Sequence, residues 1–235
     1  MEMSRLMREV WSNLRPHIVV SLILRLLIAS ILVTSAVEMN LLLVFVSAVM
    51  LFATFLPSII TRRFRIMLPP ELEITLSLFL FASFILGEMG QYYFKFWWWD
   101  IMLHSFAAFM LGLVGFIIIY SFYVTHKVKM SPLIASVFSF SFSLSLGALW
   151  EIFEFCMDYF FGFNMQKSGL LDTMTDMIVD AIGALVVAVL GFLYIKFGNA
   201  LIISHTIDRF IRMNRIRRIG MRGVKAGKQS SRISK

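Results

Sequence analysis

Six stretches of this chain are apolar for about the length of a membrane span, and nothing constrains its fold more. They run at about Ile18–Val37, Leu41–Ile60, Ile74–Met89, Ile101–Tyr123, Leu133–Phe153 and Met177–Ile195. A helix needs roughly 20 such residues, at about 1.5 Å each, to cross a hydrocarbon core of about 30 Å. Backbone amides inside lipid must pair within their own segment, so the expected fold class is all-α, a polytopic membrane helical bundle of about six transmembrane helices. The composition agrees: 59 % of the 235 residues are hydrophobic and 15 % charged, against about 25 % charged in soluble domains. A soluble globular fold and a disordered chain are both excluded on that balance. A single cysteine, Cys156, permits neither an internal disulfide nor a zinc knuckle.

Only Glu38, Met39 and Asn40 separate the first two stretches, which predicts a tight helical hairpin. Pro69-Pro70 and Pro132 precede the third and fifth, where proline suits a helix start. The first stretch is too long for a secretory signal, contains Arg25, and lacks a small-residue cleavage pattern after it. With six spans and both termini cytoplasmic, 20 of the 22 basic residues fall on the cytoplasmic side, leaving Lys95 and Lys167 opposite. The formal charge of +8 is therefore mainly a topology signal in a multi-pass protein of the cell membrane. The expected organisation is a cytoplasmic segment over 1–16, a six-helix transmembrane domain over 17–200, and a basic, partly disordered cytoplasmic tail over 201–235. That tail would meet anionic lipid headgroups, at about 1 kcal/mol per basic residue near the surface. No aromatic or fold signature accompanies its charge, so no nucleic-acid partner is expected. Nothing in the sequence sets an oligomeric state.

The acids lie on the other side. Nine of the 14 fall at or just inside the outer ends of spans, where ionisable groups usually face a bundle interior or a watery cavity. Asp100 and His104 are i and i+4 at the start of the fourth span, just after the Trp97-Trp98-Trp99 run. Glu151, Glu154 and Asp158 form one stripe at the end of the fifth. Asp172, Asp176 and Asp180 form another at the start of the sixth. Below the fifth-span stripe, Ser139, Ser143 and Gly147 make a small, polar seam. Asp180 lies 16 residues from Lys196 and Glu151 lies 19 residues after Pro132, about 24 and 28 Å of helix. These groups are thus expected to meet in one layer near the outer surface, with Glu88 and Gln91 at a similar depth. Ionised together they would repel by several kcal/mol, so they need protons or cations.

The ordered motifs, Trp-Asp-x-x-x-His, Trp-Glu-x-x-Glu-x-x-x-Asp, then Gln166 followed by Asp-Thr-x-x-Asp-x-x-x-Asp-x-x-Gly183, resemble the YjdF-like family of uncharacterised integral membrane proteins. The resemblance covers about Leu86 to Leu190 and implies one shared site without implying a reaction. The long basic tail departs from that family's pattern.

Many carboxylates, one imidazole and no thiolate favour a hard or borderline cation, Mg²⁺, Mn²⁺ or Ca²⁺ first and iron after them. The expected ligand set is Asp100, His104, Glu151, Glu154, Asp158, Asp172, Asp176 and Asp180, with His104, Asp176 and Glu154 as the catalytic candidates. Asp176 and Glu154 are each central in a stripe, and His104 titrates near neutrality. Paired acidic helices of this kind build two-metal sites in helical bundles. The reading that follows is a metal-dependent hydrolase or transferase acting on a lipid or lipid-linked substrate. The alternatives are a proton- or metal-cation transporter using the same acids, and a structural or partner-binding membrane protein. The small residues Gly183 and Ala184 are expected to let the sixth helix pack closely.

Overall fold

The computed structural model describes residues 2–64, 67–124, 130–198 and 203–214. The described residues are helices, turns and loops without a strand, and six helical stretches are long and apolar enough to cross a membrane. In chain order the helices are α1 (Glu2–Val37), α2 (Leu41–Ala53), α3 (Leu56–Phe64), α4 (Pro70–Leu80) with a π-helical continuation over Phe81–Met89, α5 (Tyr92–Lys95), α6 (Trp99–Val124), α7 (Pro132–Phe161) and α8 (Leu170–Phe197). A ninth helix, α9, spans 204–214. The side chains before residue 19 and the end of the expected tail, 215–235, lie outside the described residues, as do the tail's expected lipid contacts.

Local chemistry explains where the helices begin and stop. Asn40 caps α2 by accepting from the Leu43 amide at 3.1 Å, and Met39, at φ 58°, makes the reversal after α1. Ser131 caps α7 and Pro132 occupies its first turn. The second span breaks at Thr54-Phe55, since Pro57 has no N–H to give and its ring crowds the carbonyl four residues back. The freed Thr54 carbonyl accepts from Arg25 at 2.7 Å, while the guanidinium lies 4.3 Å above the Phe55 ring. Arg25, the deepest charge of the first span, is thus the cap of a broken helix. Hydropathy alone ends the fifth span at Phe153 and begins the sixth at Met177. The backbone instead stays helical to Phe161 and from Leu170. Left-handed Gly162 ends α7 and Gly169, also at positive φ, precedes α8, so the carboxylates between those limits ride on helices.

Two packed groups result. α6, α7 and α8 form the densest contacts, and α1, α2 and α4 form a second, thinner group. Gly183 lets α8 reach α6, since a Cβ there would come within 2.9 Å of Ala108 Cβ, and Ala184 is fully buried. Ser139 and Ser143 of α7 donate to the Gly112 and Ala108 carbonyls of α6, each at 2.7 Å. These bonds satisfy the hydroxyls that the small seam brings inside. The opposite face of α8 carries half-exposed Ile178, Ile182, Leu185 and Val189, a surface suited to lipid.

Helix α9 belongs to the core rather than to a loose tail. Its Ile207 and Phe210 join Leu113, Phe116, Val187 and Tyr194 in one buried cluster. Polar contacts fasten it: Arg209 to Glu71, Tyr194 Oη donating to Asp208 at 2.6 Å, and Asn214 exchanging hydrogen bonds with the Met67 backbone at 2.8 and 2.9 Å.

Candidate functional site

At the other end of α6–α8 the acidic stripes converge on His104. Its Nε2 lies 3.8 Å from Asp176, 3.9 Å from Asp100 and 4.0 Å from Glu151, and its Nδ1 lies 3.4 Å from Asp180. Asp100 and His104 come from α6, Glu151 from α7, and Asp176 and Asp180 from α8. The i, i+4 spacing of the α6 pair and of the α8 pair puts each on one face, turned inward. Glu151, Asp176 and Asp180 are only 3 to 4 % exposed. Gly147 makes the approach possible, because a Cβ at that position would overlap the Asp180 carboxylate.

The partners of these acids are unevenly supplied. Neither oxygen of Glu151 makes a hydrogen bond, although both are buried. The nearest donors are the His104 ring and the Thr173 hydroxyl, which accepts from Gln166 Nε2 at 2.7 Å and keeps its own proton to turn toward Glu151. Asp100 is neutralised by Lys167, whose Nζ stands 2.6 Å from its Oδ2. Lys167 in turn lies 3.9 Å above the Tyr93 ring, and Tyr93 shares a 2.9 Å hydrogen bond with Ser83. Gly87 makes that possible, since a Cβ there would strike the Tyr93 ring at 2.5 Å. Burial pushes the Tyr93 phenol up, against the pull of its Ser83 hydrogen bond, so it remains protonated at neutral pH.

The eight residues expected to bind metal do not share one role. One ligand atom from each of His104, Glu151 and Asp176 lies within 4.8 Å of the others, and the same holds for Asp100, Asp172 and Asp176. Asp158 is spent on the α7–α8 connection, where its two oxygens accept from the Met165 and Gln166 amides at 2.7 and 2.8 Å. Glu154 belongs to neither trio and lines a cavity of about 390 Å³ with His104, Asp100 and Asp180. Lys167, Tyr93 and Gly87 are the parts that sequence reasoning missed, while Gly147, expected in the small seam, proves to be the seat of the Asp180 carboxylate. Lys167 had one signal, as one of two basic residues on the acidic side. Trp97 and Trp98 are exposed as an interfacial belt requires, whereas Trp99 is buried and meets Tyr92 edge-to-face at 4.9 Å between ring centroids.

The His104, Glu151 and Asp176 trio fits a divalent cation. Three donors of mixed nitrogen and oxygen type, separated by about 4 Å, can be drawn onto one ion at about 2.0–2.6 Å. The orphaned Glu151 oxygens are what such an ion would satisfy. Asp180 against Nδ1 keeps Nε2 turned to the trio, as carboxylates behind metal-binding histidines do.

This chain belongs to the DUF2238 family of predicted membrane proteins, whose model matches residues 20–197. The acidic motifs all fall inside that match. An uncharacterised protein of Thermotoga maritima is 32 % identical over 126 residues, covering 52 % of this chain and 62 % of its own length. The match therefore spans less than two thirds of that relative. No solved structure matches the chain. Family and fold together make it a multi-pass membrane protein.

Proposed function

We propose that this chain is a divalent-cation-dependent membrane enzyme, a hydrolase or transferase acting on the phosphate of a lipid or lipid-linked substrate. The observation that carries the reading is Glu151, a buried carboxylate with both oxygens orphaned, facing an imidazole and a second buried carboxylate. Left empty, that arrangement costs several kcal/mol; a cation bound there offsets the cost. His104 Nε2, Glu151 and Asp176 would hold the ion, with Mg²⁺, Mn²⁺ or Ca²⁺ favoured by the donor set and iron after them. A bound ion would polarise a phosphoryl oxygen and lower the pKa of a water.

The chain's own residues divide the remaining work. Asp180 orients the imidazole through Nδ1. Lys167, seated over the Tyr93 ring, balances the Asp100 charge at the mouth and so adds no net charge there. Glu154 sits on the cavity wall outside the ligand trio, positioned to take or give a proton. The positive-inside bias puts this end on the extracytoplasmic side, at headgroup depth. What favours an enzyme over a proton or cation carrier lies beneath the site. Ser139 and Ser143 are bonded to α6 carbonyls, and Phe116 and Val187 are fully buried, so the described residues offer no acidic path onward.

The test is lipid turnover by protein reconstituted in vesicles that carry a phosphomonoester and a phosphodiester lipid. Phosphate release or headgroup transfer should require Mn²⁺ or Mg²⁺ and vanish in Asp176→Asn. Unchanged lipids with every ion, in protein that still takes up Mn²⁺, would overturn the enzyme reading and leave cation handling in its place.

A further inference from the structure

The cavity beside His104 runs inward between the two helix groups. Its deeper walls are apolar but for Ser143, whose hydroxyl is bonded to the Ala108 carbonyl, and include Val46 and Met50 of α2, Phe84 of the π-helical stretch, Leu103 and Leu111 of α6, and Leu146 of α7. Its mouth carries Glu88, Asp100, Glu154 and Lys167. From Asp100 to Leu111 the α6 wall covers eleven residues, about 16 Å, close to the depth of one leaflet of a core about 30 Å thick. The volume of about 390 Å³ lies within the about 300–1,000 Å³ typical of ligand sites. A slot that is apolar inside, charged at the rim and one leaflet deep has the form of a lipid.

The rim charges choose the headgroup. Asp100 and Lys167 neutralise each other at 2.6 Å. That leaves Glu88, at the end of the third span, and Glu154, on α7, with no direct ion pair or hydrogen bond among the described residues, Lys167 reaching Glu88 and His104 reaching Glu154 only at longer range. Carboxylates only accept hydrogen bonds, and an ammonium offers three donors and the opposite charge. A purely anionic headgroup would meet two unpaired acids instead.

We propose that this cavity binds a lipid whose headgroup carries a primary ammonium beside its phosphate, with the ammonium at Glu88 and Glu154 and one hydrocarbon chain in the slot. Recognition of the ammonium and of the chain stands on the cavity itself. Only the phosphate's partner rests on the cation site proposed above.

The probe is protein reconstituted in vesicles of equal phosphatidylethanolamine and phosphatidylglycerol, then extracted in mild detergent, with the retained lipid quantified by mass spectrometry. The native chain should retain the ethanolamine lipid about tenfold over the glycerol lipid, the ratio expected for one partly desolvated charge pair. Glu88→Gln with Glu154→Gln should remove the preference while leaving the amount of lipid retained. Ala107→Phe, which fills the wall of the slot, should lower retention of both. A chelator should leave the preference in place. Equal retention or a glycerol preference in the native chain, a preference that survives the paired Gln changes, full retention in Ala107→Phe, or a preference lost with the metal would each overturn the proposal. The last outcome would assign headgroup recognition to the cation, and failure to bind Mn²⁺ with the preference intact would sink the metal reading alone.

Discussion

The two ends of the α6–α8 bundle treat their polar side chains in opposite ways. At the α9 end, Arg209 meets Glu71, Tyr194 donates to Asp208, and Asn214 satisfies both polar groups of Met67. Only the second oxygen of Glu71 goes without. At the His104 end, Lys167 is paired with Asp100, yet Glu151 is buried without a hydrogen bond and Glu88 and Glu154 have no direct ion pair among the described residues. Folding alone selects the first pattern, because an unpaired buried polar group costs about 1–3 kcal/mol. The second is stable only if something else completes it. One end is a fastening; the other is left open, as the proposed cation and headgroup sites require.

That contrast can be broken by substitution. The largest effect belongs to Asp176→Asn, which keeps size and removes the charge common to both trios. Its affinity for Mn²⁺ should fall by at least about a hundredfold, beyond the about 10–100-fold typical of losing a supporting contact. Titration of purified protein by isothermal calorimetry checks it, and an unchanged affinity would make the acidic end an ordinary helix terminus. Next comes Gly147→Ala. The added methyl meets the Asp180 carboxylate, and overpacking of this kind costs about 1–3 kcal/mol. Both the melting temperature in detergent and Mn²⁺ uptake should drop. Tyr194→Phe tests the fastening: it should cost about 1–2 kcal/mol of stability and leave Mn²⁺ affinity untouched. A loss of metal binding there would mean the two ends are coupled. The smallest effect concerns sidedness. In a Cys156→Ser background, Lys167→Cys should react with an impermeant thiol reagent on intact cells and Arg212→Cys should not. The reverse pattern would put the His104 end in the cytoplasm.

Much of the bundle is legible in the sequence. Span length, the prolines at 70 and 132, and the hairpin at Glu38-Met39-Asn40 follow from hydropathy and local chain chemistry, and those act over a few residues. The i, i+4 rule likewise placed Asp100 with His104 and Asp176 with Asp180, because a helix fixes that geometry by itself. The Glu151, Glu154 and Asp158 stripe was legible only as a stripe. Its members part company because α7 faces α8 at Glu151, the cavity at Glu154 and its own terminal loop at Asp158. Those neighbours are set by tertiary packing. Lys167 could not be placed for the same reason: its seat depends on Tyr93, which lies flat only because residue 87 has no side chain. The docking of α9 was hidden by the basic residues around it, which drew attention from the apolar Ile207 and Phe210.

The claim that most needs a direct test is that Glu151 is orphaned because a cation belongs beside it. Metal-free protein equilibrated with Mn²⁺ in detergent, washed and analysed for metal, should hold about one ion per chain. Glu151→Gln should hold none, and should melt higher than the metal-free native protein because a buried charge is gone. Native protein that takes up no Mn²⁺, or a Glu151→Gln variant that binds it as well as native, would contradict the cation site at His104, Glu151 and Asp176.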